Sequence, residues 1–237
     1  MKEATHKAAC DHAVAEYPKE SCGLVVAVKR KEIYYPCKNI AENPTINFVM
    51  DPGDFVDAED MGTIKVLVHS HPDEPARPTM ADMVNCENSG VKWRIISVGN
   101  EGVVDYADVE PTGYEAPYRG REFFFGIMDC YTLIRDFYKR DMGIELPDFE
   151  RKDLFWERGE DLYMDNFPKI GFEEIPKPSQ KGDIILMNIR SDIVNHAGIW
   201  LGEMDHMLHH PYEHLSEKVV YGGYWQEVTR LYVRKVR

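Results

Sequence analysis

Residues 66–82 read VLVHSHPDEPARPTMAD. The three branched apolar residues at the start predict a buried strand over 64–68. His69 and His71 follow at once. Residues two apart on an extended segment point the same way, so both imidazoles can face one point at the strand's end. Pro72 has no N–H for a ladder and is expected to stop the strand. After a proline-rich loop Thr79 can cap a helix, and Asp82, three residues on, lies on the same face. Two His and one carboxylate leave an open fourth position on zinc, as in a catalytic rather than a closed structural site.

A bare His-x-His pair carries little information in a chain with nine histidines. The hydroxyl and carboxylate at fixed spacing make it specific. The stretch resembles the motif of the JAMM (MPN-plus) metallopeptidases: a distant Glu, His-x-His, seven residues, Ser, two residues, Asp. The resemblance covers roughly residues 1–110. It implies that His69, His71 and Asp82 ligate Zn2+, that Glu20, in Glu20-Ser21-Cys22-Gly23, is the general base, and that Thr79, where the family has Ser, supports the oxyanion. The implied reaction is hydrolysis of an amide or isopeptide bond.

Working outward, residues 3–17 read as a helix stopped by Pro18, with Ala9 and Ala13 on one face. Residues 23–28 and 32–35 read as strands and 45–50 as a third. Asp51-Pro52 opens a helix over 52–61. A helix over 79–88 ends at Ser89-Gly90, and 93–98 with 103–106 form a hairpin around Asn100–Gly102. This is a three-layer α/β pattern. The stretch 111–122, polar with Pro and Gly and without period, reads as a linker, so that 1–110 and 123–237 are the expected domains.

The second half predicts a helix from Asp129 to Met142, capped by Asp129 and ended by Gly143. Cys130 then sits at the helix N-terminus, where the macrodipole and free N–H groups are expected to lower its pKa. Residues 152–165 read as a second helix, and 183–187, 196–201, 206–210 and 230–236 as strands. A nucleophilic Cys needs a base and a group that orients it. His196 opens one strand, and after the turn Gly202–Asp205, His209 can lie opposite it, with His210 as the alternative. A Cys130-His196-His209 triad is the reading that follows.

Asp129-Cys130, Gly182-Asp183 and His196-Ala197-Gly198-Ile199-Trp200-Leu201-Gly202 resemble the NlpC/P60 peptidases, a papain-like α+β family. The resemblance covers roughly 121–237. It implies a cysteine peptidase acting on peptidoglycan stem peptides, with Cys130 as nucleophile, His196 as base and His209 as its orienter. Tyr131-Thr132 departs from the Ser-Gly that many members carry. The order of the two domains resembles tail-tip components of lambda-like siphophages. That implies other tail-tip proteins as partners, the host cytoplasm during assembly as location, and the virion tail tip at the cell wall or periplasm as a second one. Two further readings stand beside it: a structural assembly factor with residual or regulated sites, and a cellular deubiquitinase-like or wall-remodelling enzyme.

The bulk properties bound these readings. A net charge of −13 argues against sequence-independent nucleic-acid binding. No apolar run reaches membrane-spanning length, and the N-terminal stretch lacks a hydrophobic signal core, so folding in a cytoplasm is expected. Five cysteines without a Cys-x-x-Cys pair read as reduced thiols. Cys10, Cys22 and Cys86 are expected in the core, and His6, His12, His206 and His214 as ordinary polar residues.

Overall fold

The computed structural model describes residues 1–236. It divides into two compact units, Met1–Glu115 and Ala116–Arg237.

In the first unit, α1 (Glu3–Glu16), β1 (Cys22–Val28), β2 (Lys31–Cys37), α2 (Pro52–Met61), β3 (Thr63–Pro72), α3 (Met80–Ser89), β4 (Lys92–Gly99) and β5 (Gly102–Val109) follow in order. The sheet order is β2-β1-β3-β4-β5. Only β3 and β4 run parallel, joined by α3 as crossover. Alternation along β1 and β3 sends side chains to two cores. Ala9 and Ala13 of α1 pack on Val25, Val66 and Val68 on one face. Ala58 of α2 and Cys86 of α3 pack on Cys22, Leu24, Leu67 and Trp93 on the other. This is the three-layer arrangement.

Two expectations are corrected here. β3 does not end at Val68; it runs through both histidines to Pro72, where it stops, because β4 pairs alongside as far as Pro72↔Val98. Residues 45–50 form no strand. Backbone pairing is limited to the isolated bridge of Asn39 with Met50, and the Asn39 side chain supplements it: its amide donates to the carbonyls of Glu20 and Asn47, both at 2.9 Å, and its oxygen accepts from Ala41 and Val49. One close approach is also built in: a Cβ on Gly62, just after α2, would collide with the Ala27 carbonyl oxygen. Since that oxygen is backbone and cannot swing away, Gly62→Ala is expected to lower stability by about 1–3 kcal/mol, read by urea denaturation.

The second unit contains α4 (Cys130–Met142), α5 (Leu162–Asn166), β6 (Phe172–Ile175), β7 (Ile184–Met187), β8 (His196–Trp200), β9 (His206–His209), β10 (Glu217–Val220), α6 (Tyr224–Glu227) and β11 (Thr229–Lys235). The sheet order is β10-β9-β8-β7-β11-β6. The buried face of α4 (Leu133, Ile134, Phe137, Tyr138) packs with Ile184, Ala197 and Ile199 of the sheet. The helix expected over 152–165 is broken into a 3-10 turn at Phe155–Arg158 and the short α5, because Gly159 takes a left-handed φ and Asp161 caps a new start. The stretch read as linker is also partly structural. Arg121 is fully buried, bonding the Pro117 and Ala116 carbonyls and pairing with Asp136 at 2.7 Å, so this part of the chain is packed rather than loose. All five cysteines are free. Among the described residues no helix is long and apolar enough to cross a membrane.

Candidate active sites

In the first unit the extended backbone of β3 puts His69 and His71 on one face, their Nε2 atoms 3.1 Å apart. The first turn of α3 brings Asp82 to them, Oδ1 at 3.2 Å from His69 Nε2 and Oδ2 at 3.4 Å from His71 Nε2. His71 Nδ1 donates to the Pro75 carbonyl at 2.9 Å, which fixes the tautomer with the Nε2 lone pair facing the site. His69 is lodged against Phe48 and Trp93. Its Nδ1 is buried without a hydrogen-bond partner. The donor atoms of His69, His71 and Asp82 all lie within 4.8 Å of one another, and this N, N, O set fits a metal ion.

Electrostatics agree with that use. Burial opposes ionisation of Asp82, but the His69 and His71 imidazoles beside it and the Thr79 N–H hold its carboxyl far below the ordinary range. Glu20 is brought beside the site by backbone bonds, its N–H to the Pro44 carbonyl at 2.7 Å and its carbonyl to Asn39. Burial pushes its carboxyl up to about 7, with His71 pulling it down and Asp82 pushing it further up. A carboxyl ionising there can take and return protons near neutrality.

Thr79 differs from expectation. Its hydroxyl donates to Asp82 Oδ2 at 2.7 Å and accepts from the Asp82 N–H at 3.1 Å, completing a capping box. A hydroxyl has one proton, and here it holds the carboxylate rather than facing an oxyanion.

In the second unit Asp129 caps α4, with Thr132 returning its hydroxyl to the Asp129 N–H at 2.6 Å. This explains Thr132. Tyr131 is equally structural: it is buried and its hydroxyl bonds the Pro147 carbonyl at 2.7 Å. The capping box places Cys130 at the first turn. His196 Nε2 lies 3.0 Å from His209 Nδ1, leaving His196 Nδ1 as its other ring nitrogen. In register His209 stands opposite Gly198 rather than His196, and reaches His196 diagonally. Gly198 matters for this: a Cβ there would press on Met207 and come to 3.4 Å from His209 Cβ. Of the adjacent pair, His209 makes this bond. His210 lies on the thiol pocket instead. His209 Nε2 is 3.5 Å from Glu217 Oε1, beyond a good hydrogen bond.

Cys130 and His196 line one small cavity of about 20 Å³, with Phe123, Phe125, Phe155, Trp156 and Tyr212 among its walls. Two findings run against expectation. First, the thiol is not depressed: burial, and then the Asp129 charge, push it up to about 11. Desolvation outweighs the helix terminus, and the capping box already consumes the Thr132 N–H. Second, among the described residues the side chain that hydrogen-bonds Sγ is Tyr163, with Oη at 3.0 Å, and not His196. Tyr163 and Trp225 were not legible as site residues. Trp225 packs edge-on against His209, ring centroids 4.4 Å apart.

The folds and sites define a class of protein that joins a JAB-type domain to an NlpC/P60 domain. Residues 2–109 match prokaryotic homologs of the JAB domain, and residues 119–234 match the NlpC/P60 family. The chain is 41% identical over 236 residues to the tail tip assembly protein K of Escherichia phage N15, covering 99% of this chain and 95% of that one. It is 36% identical over 181 residues to the tail tip assembly protein K of Escherichia phage lambda, covering 76% and 86%. The chain belongs to the tail tip assembly protein K family. A Desulfitobacterium hafniense protein of known solution structure is 25% identical, covering 46% of this chain and 88% of that one, with a TM-score of 0.36.

Proposed function

We propose that this chain is a phage tail-assembly protein whose second unit is a cysteine peptidase acting on peptidoglycan stem peptides. The observation that carries the reading is the His196–His209 pair, 3.0 Å apart, with His196 on the same cavity as Cys130 at the start of α4. In it Cys130 attacks the carbonyl carbon, His196 takes the thiol proton and returns it to the leaving amine, and His209 holds the ring of His196. The stem-peptide substrate rests on the NlpC/P60 resemblance, and the tail-protein partners on the named relatives.

In the first unit His69, His71 and Asp82 would hold Zn2+, with Thr79 fixing Asp82 and Glu20 as the proton acceptor. When bound, zinc would lower the pKa of a water and polarise a carbonyl. A second reading, function by binding tail proteins with the catalytic residues held in reserve, is favoured by the small cavity and the protonated thiol. Its mark would be normal particle assembly with both Cys130→Ala and His69→Ala.

Digestion of defined muropeptides by the purified chain, followed by mass spectrometry with and without a zinc chelator, tests the peptidase reading. New fragments that persist in chelator are expected. Fragments lost in chelator would move the wall chemistry to His69, His71 and Asp82. No fragments under either condition would leave the binding reading.

A further inference from the structure

The neighbour of Cys130 that the triad does not use is Tyr163. It is the second residue of α5, whose start is fixed by Asp161 accepting from the Met164 N–H at 3.2 Å. Its ring is fully buried and wedged edge-on between Tyr131 (82° at 6.3 Å) and Phe167 (81° at 5.2 Å). A ring clamped on both sides has little freedom, so its hydroxyl is aimed by packing. That hydroxyl lies 3.0 Å from Cys130 Sγ. Besides Tyr163, charged or titratable groups face the thiol from the surrounding elements, with His210 and Tyr212 on the same cavity wall. Asp129 next to it opposes thiolate, Arg151 favours it, and His196 opens β8 on the same cavity.

We propose that Tyr163 is a further catalytic residue, whose hydroxyl donates to the Cys130 sulfur and stabilises it as a thiolate. This rests on the cysteine-peptidase reading. Burial and the nearby Cys130 keep the Tyr163 phenol well above 10, so it stays protonated and serves as a donor throughout the working pH range. The Ala197 N–H, one residue after His196, favours the thiolate too, so β8 supplies both base and second donor. The step balances simply. The Sγ–H bond breaks with its proton going to His196, the electron pair stays on sulfur, and Tyr163 and Ala197 share that charge without giving up protons. Sulfur then bonds the substrate carbonyl carbon, and His196 returns the proton to the departing amine. A desolvated thiol cannot ionise usefully without such donors, and a neutral phenol adds no charge to repel.

The test needs no substrate. The rate of Cys130 alkylation by iodoacetamide is followed against pH in the full chain, in the native form, in Tyr163→Phe and in His196→Ala. The tryptic peptide 122–135 contains Cys130 and no other cysteine. A hydrogen bond to a charged group corresponds to about one pH unit or more, so the Tyr163→Phe midpoint is expected to rise by about one unit, with alkylation at pH 7 slowed roughly tenfold. A Tyr163→Phe profile that coincides with the native one, while His196→Ala moves, would overturn the inference and leave the peptidase reading intact. A His196→Ala profile that coincides with the native one, while Tyr163→Phe moves, would sink the Cys-His pairing and leave the Tyr163 bond standing. If Tyr163→Phe loses its fold by circular dichroism, 3-fluorotyrosine in place of every tyrosine is the second arm. Its more acidic phenol is expected to lower the midpoint, and an unchanged midpoint overturns the inference.

Discussion

On the proposed peptidase reading, Cys130→Ala is expected to lower stem-peptide cleavage by on the order of 10⁴-fold or more, with the fold kept. The size follows from the chemistry: without sulfur there is no nucleophile, and His196 has no proton to move. The structural cost is small by comparison. Cys130 donates no backbone feature that alanine lacks, and α4 is capped by Asp129 and Thr132, not by the thiol. What is lost is the partner of the buried Tyr163 hydroxyl, worth about 1–3 kcal/mol. The measurement is fragment yield by mass spectrometry beside a thermal melt of the same preparation. Retained cleavage in a folded Cys130→Ala protein would remove the peptidase from the second unit, and His69→Ala would then show whether the first unit carries it.

Much of this was legible in the sequence because the signals are local. His69 and His71 share a strand face by the period of two, and Thr79 with Asp82 is a capping box written in four residues. Asp129 as a cap with Cys130 at the helix start is read the same way, whereas Thr132 stands in the sequence only as a departure from Ser-Gly. The illegible parts depend on residues far apart. Tyr163 lies in a segment with the composition of a helix, and only its packing between Tyr131 and Phe167 aims the hydroxyl at a thiol 33 positions earlier. Trp225 meets His209 only once β9 and the α6 turn are in place. The raised thiol pKa was missed for a related reason: the helix terminus is visible in sequence, whereas the burial that overrides it is not. β6 and β10 escaped because they are short, at the two edges of the sheet, with Glu and Lys pointing outward.

Arg151→Met tests a pairing of this non-local kind, and its expected effect on stability is the largest in the molecule, a loss of about 3–5 kcal/mol at neutral pH. Arg151 and Asp129 are nearly fully buried, 3% and 2% exposed in their side chains. All five guanidinium N–H groups are engaged: two on the Asp129 carboxylate at 2.7 and 3.1 Å, the others on Asp148 and the Phe149 and Gly126 carbonyls. Burial pushes the Asp129 carboxyl up, but Arg151 and the N–H groups of Thr132 and Gly126 more than offset it and leave it depressed. A depressed carboxyl contributes stability that is present above its unfolded value, about 3.9, and is lost as pH falls through the folded one. In Arg151→Met the sign reverses. The unpaired carboxylate prefers a proton, so the deficit is greatest near pH 7 and above and shrinks on acidification. Asp129→Asn with Arg151→Met removes both charges and is expected to recover most of the loss. Urea unfolding read by hydrogen exchange over 131–142, at pH 7.5 and pH 5, measures both. A loss under about 1 kcal/mol in the single variant, or no recovery in the double, would sink the argument. The same carboxylate caps α4 and so positions Cys130. The iodoacetamide profile of the double variant reads the net of two lost charges: Asp129 opposes the thiolate more than Arg151 favours it, so the thiol is expected to become easier to ionise, provided the asparagine still caps the helix.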